Sequence, residues 1–102
     1  MAERHNVCRL DELVEGRGKE FVVAGRVVAV FLCDGQVSAT DGICPHAGGP
    51  LAQGLVRQQV VTCPWHGWQY SVCTGQHRLN PRISVETFAV TVDGGLVYIE
   101  VF

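Results

Sequence analysis

Charge of one sign, long apolar runs and internal repeats are what this sequence lacks. Eight lysines and arginines stand against ten aspartates and glutamates, a formal net charge of −2 with a pI near 6.0. There is no basic stripe of the kind that neutralises a phosphate backbone, so nucleic acid is not an expected partner. No apolar run approaches the roughly 20 residues that cross a bilayer. The opening "MAERHNVCRLDELVEG" has neither the apolar stretch nor the small-residue cleavage site of a signal peptide. A cytoplasmic protein with no membrane partner is therefore expected. No repeat of about 20 to 50 residues, low-complexity tract or linker interrupts the chain. A length of 102 residues suits one domain over residues 1–102 rather than two. With 47% apolar and 18% charged residues, the composition supports one core and argues against disorder.

Cysteine is the residue present in excess. Five are many for this length, and the number is odd. A disulfide framework would leave one over, and a reducing compartment would open the rest. Metal binding is the better expectation for at least two of them.

The local signals are those of β-structure. "EFVVAGRVVAVFLC" (Glu20 to Cys33) is valine-rich and broken once at Gly25, giving two short strands or one bent strand. Asp34-Gly35 is a two-residue hairpin signal, and "QVSATD" is the returning strand. "LVRQQVVTC" (Leu55 to Cys63) forms a hairpin, Thr74-Gly75 a turn, and "ETFAVTVDGGLVYIEVF" two strands joined at Asp93-Gly94-Gly95. Only "RLDELVEG" (Arg9 to Gly16) has a helical pattern, for two turns at most. Many short strands with glycine-centred turns predict an all-β fold, an antiparallel β-sandwich or small barrel.

Two loops in that fold carry the chemistry. "CPHAGG" supplies Cys44 and His46, and "CPWHGW" supplies Cys63 and His66. In each, ligands two or three residues apart on a tight turn can converge on one space. Proline follows each cysteine (Pro45, Pro64) and stiffens the turn, while Gly48, Gly49 and Gly67 let backbone approach a sulfur-rich centre. Two thiolates and two imidazoles suit a tetrahedral structural zinc or a two-iron, two-sulfide cluster equally. A zinc-stabilised interaction module and a redox protein both remain open on ligand chemistry alone. No nucleophile or acid–base pair suggests an enzyme.

The double motif resembles that of the Rieske iron–sulfur proteins, C-x-H followed after 16 to 17 residues by C-x-x-H. "CPHAGGPL" and "CPWHGWQY" match beyond the ligands, and "NPRI" falls where that family has a proline loop closing over the cluster. The resemblance implies a Rieske-like fold with a cluster-binding part over about residues 42–82. It implies one [2Fe-2S] cluster, with Cys44 and Cys63 on the inner iron and His46 and His66 on the outer. Neutral imidazoles make the oxidised centre less negative than four thiolates would, which puts such clusters at about −150 to +300 mV. High-potential members add a loop disulfide and a serine. Here the corresponding positions are Gly49, Trp65 and Trp68, while the family's tyrosine is present as Tyr70. These departures point to the low-potential ferredoxins.

The function implied is a soluble one-electron carrier between a flavin-dependent ferredoxin reductase and a terminal aromatic-ring oxygenase. The small subunit of a nitrite reductase is the alternative. Transient docking is expected at the cluster tip, on an apolar rim of Pro50, Leu51 and Trp65, with Trp68 suited equally to that rim and to core packing. Among the remaining residues, Cys8, Cys33 and Cys73 are expected to be small buried hydrophobes. His5, His77 and "HRLNPR" are expected to be solvated.

Overall fold

In the computed structural model, residues 3–45, 48–65, 67–80 and 82–101 are described. The strands are β1 (Glu3–Arg9), β2 (Arg17–Val23), β3 (Arg26–Cys33), β4 (Gln36–Asp41) and β5 (Leu55–Arg57). They continue with β6 (Val60–Thr62), β7 (Gln69–Ser71), β8 (Thr87–Phe88), β9 (Val90–Asp93) and β10 (Leu96–Val101). They form three antiparallel sheets, in the orders β1-β10-β9, β2-β3-β4-β8 and β5-β6-β7. The all-β expectation holds.

Four hairpins turn through two residues of positive φ: Ala24-Gly25, Asp34-Gly35, Gln58-Gln59 and Gly94-Gly95. Such turns match the right-handed twist of the strands they join. The Asp34-Gly35 turn is further held by Glu15, whose carboxylate accepts both turn amides at 2.7 and 3.1 Å.

β3 is the spine of the molecule. Alternate side chains leave a strand on opposite faces, and here both faces are covered. Val28 and Val30 join Cys8, Leu13, Val23, Ala39, Phe88, Val97, Ile99 and Val101 in one core. Ala29, Phe31 and Cys33 join Leu51, Val56, Val61, Tyr70 and both motif cysteines in a second. Fully burying side chains such as Phe31 and Val30 contributes about 1.5–3 kcal/mol each. The third sheet is thereby seated on the rest of the fold through the core that contains Cys44 and Cys63.

Two expected elements differ. "RLDELVEG" yields only a single 3-10 turn over Leu10–Glu12, because Leu13 returns to extended backbone (φ −89°, ψ 145°) and buries itself in the first core. "ETFAVTV" does not run as one strand. Thr87–Phe88 pairs with β4, Val90–Asp93 pairs with β10, and the chain changes sheets at Ala89, as strands at sandwich corners do. No helix among the described residues is long and apolar enough to cross a membrane.

Candidate metal centre

The two cysteine loops close in the same way. The amide of Cys44 donates to the carbonyl of Gly49 at 2.8 Å, and that of Cys63 to the carbonyl of Trp68 at 2.7 Å. Each bond spans five residues. In each loop the fourth residue after the cysteine is a glycine in the left-handed region, Gly48 (φ 74°) and Gly67 (φ 71°). An L side chain would be strained there, which is why both motifs carry glycine at that place. The first loop is tied down further by Gly48 donating to Cys44 and Leu51 donating to Gly42 (2.8 and 3.0 Å). The second is the connection between β6 and β7, so sheet pairing holds its two ends together.

The loops also press on each other. A Cβ on Gly49 would stand 2.9 Å from Cys63 Sγ and 3.1 Å from Trp65 Cβ. Only glycine leaves that gap open. The contact also shows that Gly49 and Trp65 face each other across the loops, as the positions of a loop disulfide would.

Cys44 and Cys63 are 0% and 1% exposed, and neither is in a disulfide. Burial pushes the Cys63 thiol up, the Trp65 amide donating to its sulfur pulls it down, and neighbouring Cys44 raises it again. The Tyr70 hydroxyl lies 3.3 Å from Cys44 Sγ. Burial first, and Cys44 second, push that phenol well above its ordinary range, so it keeps its proton. Facing a thiolate it can only donate. Two adjacent buried thiols, costly to ionise without a cation between them, suit a metal that takes up their charge.

The matching sequence profile, the Rieske [2Fe-2S] domain, covers residues 3–89. The chain belongs to the Rieske family. It is 38% identical over 96 residues to the ferredoxin component of the alkene monooxygenase system of Xanthobacter autotrophicus, covering 92% of this chain and 78% of that protein. The ferredoxin of carbazole 1,9a-dioxygenase from Nocardioides aromaticivorans superposes with a TM-score of 0.87 at 29% identity, covering 94% of this chain and 95% of that one. A chain described as the small subunit of an NADH-dependent nitrite reductase from Mycobacterium tuberculosis reaches a TM-score of 0.93 over 100% of this chain and 97% of its own. Its 24% identity speaks for the fold alone. A Rieske domain holds one [2Fe-2S] cluster, and the paired thiols fit it.

Within this Rieske domain the structure brings Cys44 and Cys63 together; His46 and His66 lie outside the described residues, as do Ala47 and Pro81 of the flanking segments. Several expected roles change. Leu51 is not part of an apolar rim: it is fully buried in the core beneath the cysteines. Trp65, 50% exposed, does stand on the surface, whereas Trp68 packs half-buried against that core. Cys8 and Cys33 are buried, but Cys73 is exposed, its thiol donating to Gln59 Oε1 at 3.5 Å. His5 is half-buried rather than solvated.

His77 is the residue that sequence reasoning missed. Its ring packs edge-on against Trp68 (4.7 Å between centroids) and Tyr70 (5.3 Å). Its Nδ1 accepts the amides of Leu79 and Asn80, both at 3.0 Å. It thus buttresses the tyrosine that touches Cys44 and folds the segment after it. The only sequence signal was its distance from Tyr70, which gives no hint that the backbone brings the two residues opposite each other. Of the other described residues in "HRLNPR", Arg78, Leu79, Asn80 and Arg82 are exposed, as expected.

Proposed function

We propose that this chain is a one-electron carrier that takes an electron from a flavin-dependent ferredoxin reductase and delivers it to a terminal oxygenase. Cys44, Cys63, His46 and His66 would hold the cluster, and the cluster would supply reversible one-electron chemistry. The observation that carries the reading is the pairing of the two loops. Both cysteines are sealed in the core, while Pro45, Gly48, Pro64, Trp65 and Gly67 around them are exposed. A redox centre just beneath the surface suits electron exchange with a partner that docks briefly and leaves. The protein residues have three jobs in this reading. The cysteines bind, Tyr70 and the Trp65 amide direct protons at sulfur, and Gly49 keeps the space between the loops clear.

An oxygenase partner is favoured by the 38% and 29% identities to ferredoxins of oxygenase systems, against a fold-level likeness to the nitrite reductase subunit. These relatives serve alkene and aromatic substrates, so the proposed class is broader than aromatic-ring oxygenases. The test is metal content and ligand replacement. Purified protein should carry two irons and two labile sulfides per chain, and Cys44→Ser and Cys63→Ser should lose both. His46→Cys and His66→Cys should assemble, if at all, at a lower potential. A colourless protein with stoichiometric zinc would overturn the reading.

A further inference from the structure

All ten carboxylate residues lie in residues 1–41 and 86–102. Residues 42–85 build both cysteine loops and the third sheet. They contain no aspartate or glutamate, and they carry Arg57, Arg78 and Arg82. The formal charge of −2 is therefore a difference between +3 on this segment and −5 on the remainder.

The fold turns that asymmetry into a surface. Strand alternation sends Val56, Val61 and Tyr70 inward, and Leu55, Arg57, Thr62 and Gln69 outward. The outward set, joined by Arg78, lines an open groove of about 510 Å³. Leu55 and Thr62 also border the hollow formed with Cys63, Pro64 and Gly67, so the arginine face runs directly into the second cysteine loop. Among the described residues, Arg57, Arg78 and Arg82 have no ion pair, as is true also of Arg4 and Arg17 elsewhere, whereas Arg9, Lys19 and Arg26 are paired with Asp11, Glu12 and Glu86. Leu55 (57% exposed) lines the groove with both arginines, and Leu79 (90% exposed) borders an adjoining hollow with Arg78. Exposed arginine set among apolar side chains is the make-up of a protein interface.

We propose that the outer face of the β5-β6-β7 sheet, with Arg57 and Arg78 at its centre, is a docking face for an acidic surface on a protein redox partner. This rests on the reading of the chain as an electron carrier. A partner approaching within a Debye length, about 10 Å at 0.1 M salt, feels the near end of the molecule rather than its net charge. The charge separation then turns the cysteine loops toward an anionic surface and the acidic end away. Three isolated arginines flanked by leucines suit a protein surface better than a nucleic acid, which wants a longer basic track.

The test uses the iron-loaded, reduced protein and two inorganic acceptors, hexacyanoferrate(III) as the anion and hexaammineruthenium(III) as the cation. One electron passes to either acceptor, with no bond or proton exchanged. The hexacyanoferrate rate should fall about three- to tenfold as salt is raised, and the ruthenium rate should not fall. Arg57→Gln/Arg78→Gln should flatten the hexacyanoferrate dependence, while Arg4→Gln, in the first sheet, should leave it unchanged. Calorimetry should detect a poly-glutamate peptide binding to the unaltered protein and not to the double variant. Rates that follow the net negative charge of the whole molecule, rising with salt for the anion, would overturn the docking face. So would a double variant that behaves as wild type, or a single-stranded oligonucleotide binding more tightly than the peptide. Protein without iron would reduce neither acceptor, which is the failure of the carrier reading and not of the docking face.

Discussion

Removing one oxygen atom, in Tyr70→Phe, isolates the influence of this chain on the potential of its redox centre. The side chain is fully buried, its hydroxyl lies 3.3 Å from Cys44 Sγ, and its ring rests against His77. Phenylalanine preserves the ring contacts and deletes only the donor. A hydrogen bond to a charged acceptor contributes about 1.5–3 kcal/mol. Part of that acts equally on both redox states. If a third to a half is felt only by the more negative reduced state, the differential is about 1 kcal/mol. A one-electron couple shifts by 59 mV per tenfold change in equilibrium constant, so the expected change is about 40 mV. Its direction is downward, because the donor stabilises the reduced state and its loss disfavours reduction. The phenol stays protonated, since burial and Cys44 hold its pKa far up, so the shift should be the same at neutral and mildly alkaline pH. Film voltammetry at two pH values reads it directly, with a thermal melt to confirm that packing is intact. A potential that stays put or rises would refute the assignment of Tyr70 as a donor to Cys44.

Gly49→Ala should lower iron content per chain while leaving the β-sheet circular dichroism unchanged, because its methyl would stand 2.9 Å from Cys63 Sγ; full iron loading would show that the loops part more easily than their packing implies. The Arg26 guanidinium, bonded to Glu86 at 2.7 and 3.1 Å, holds that carboxyl below its usual range. A depressed carboxylate stabilises the fold above its unfolded pKa, about 4.3, and that contribution is lost as pH falls through the folded value. Glu86→Gln should therefore cost about 0.5 kcal/mol near neutrality, a small figure because the pair is exposed. In urea titrations the gap between variant and wild type should close in acid; a gap independent of pH would mean the ion pair contributes nothing. Gln58→Asn should stabilise the fold by up to about 1 kcal/mol, read as a raised urea midpoint, since Gln58 sits at φ 53° and asparagine tolerates that region better. An unchanged or lowered midpoint would place the strain elsewhere.

Several features of this protein were determined by short stretches of sequence alone. Asp34-Gly35 and Gly94-Gly95 announce their hairpins because a two-residue turn demands positive φ, and few residues supply it. The paired C-P-H and C-P-W-H frames lead to the expectation of a centre with two thiolates and two imidazoles, because their spacing, prolines and glycines serve no ordinary packing need, and the structure brings the two cysteines together. Such signals are local: one or two residues carry the constraint, so they survive without knowledge of the rest of the chain. Burial is different, since it depends on which distant surfaces meet. "RVVAVFLC" reads as one apolar strand, but only the tertiary structure sends Val28 and Val30 into one core and Phe31 and Cys33 into another. Leu51 and Trp65 looked alike as apolar loop residues until packing buried the first and left the second outside. Cys73 and His77 exchanged their expected environments for the same reason: the β7 pairing swings His77 beneath Trp68 and Tyr70 and leaves Cys73 on the surface. Nor does any single residue reveal the basic face, because Arg57 and Arg78 come from different segments and share a groove only once the third sheet has formed.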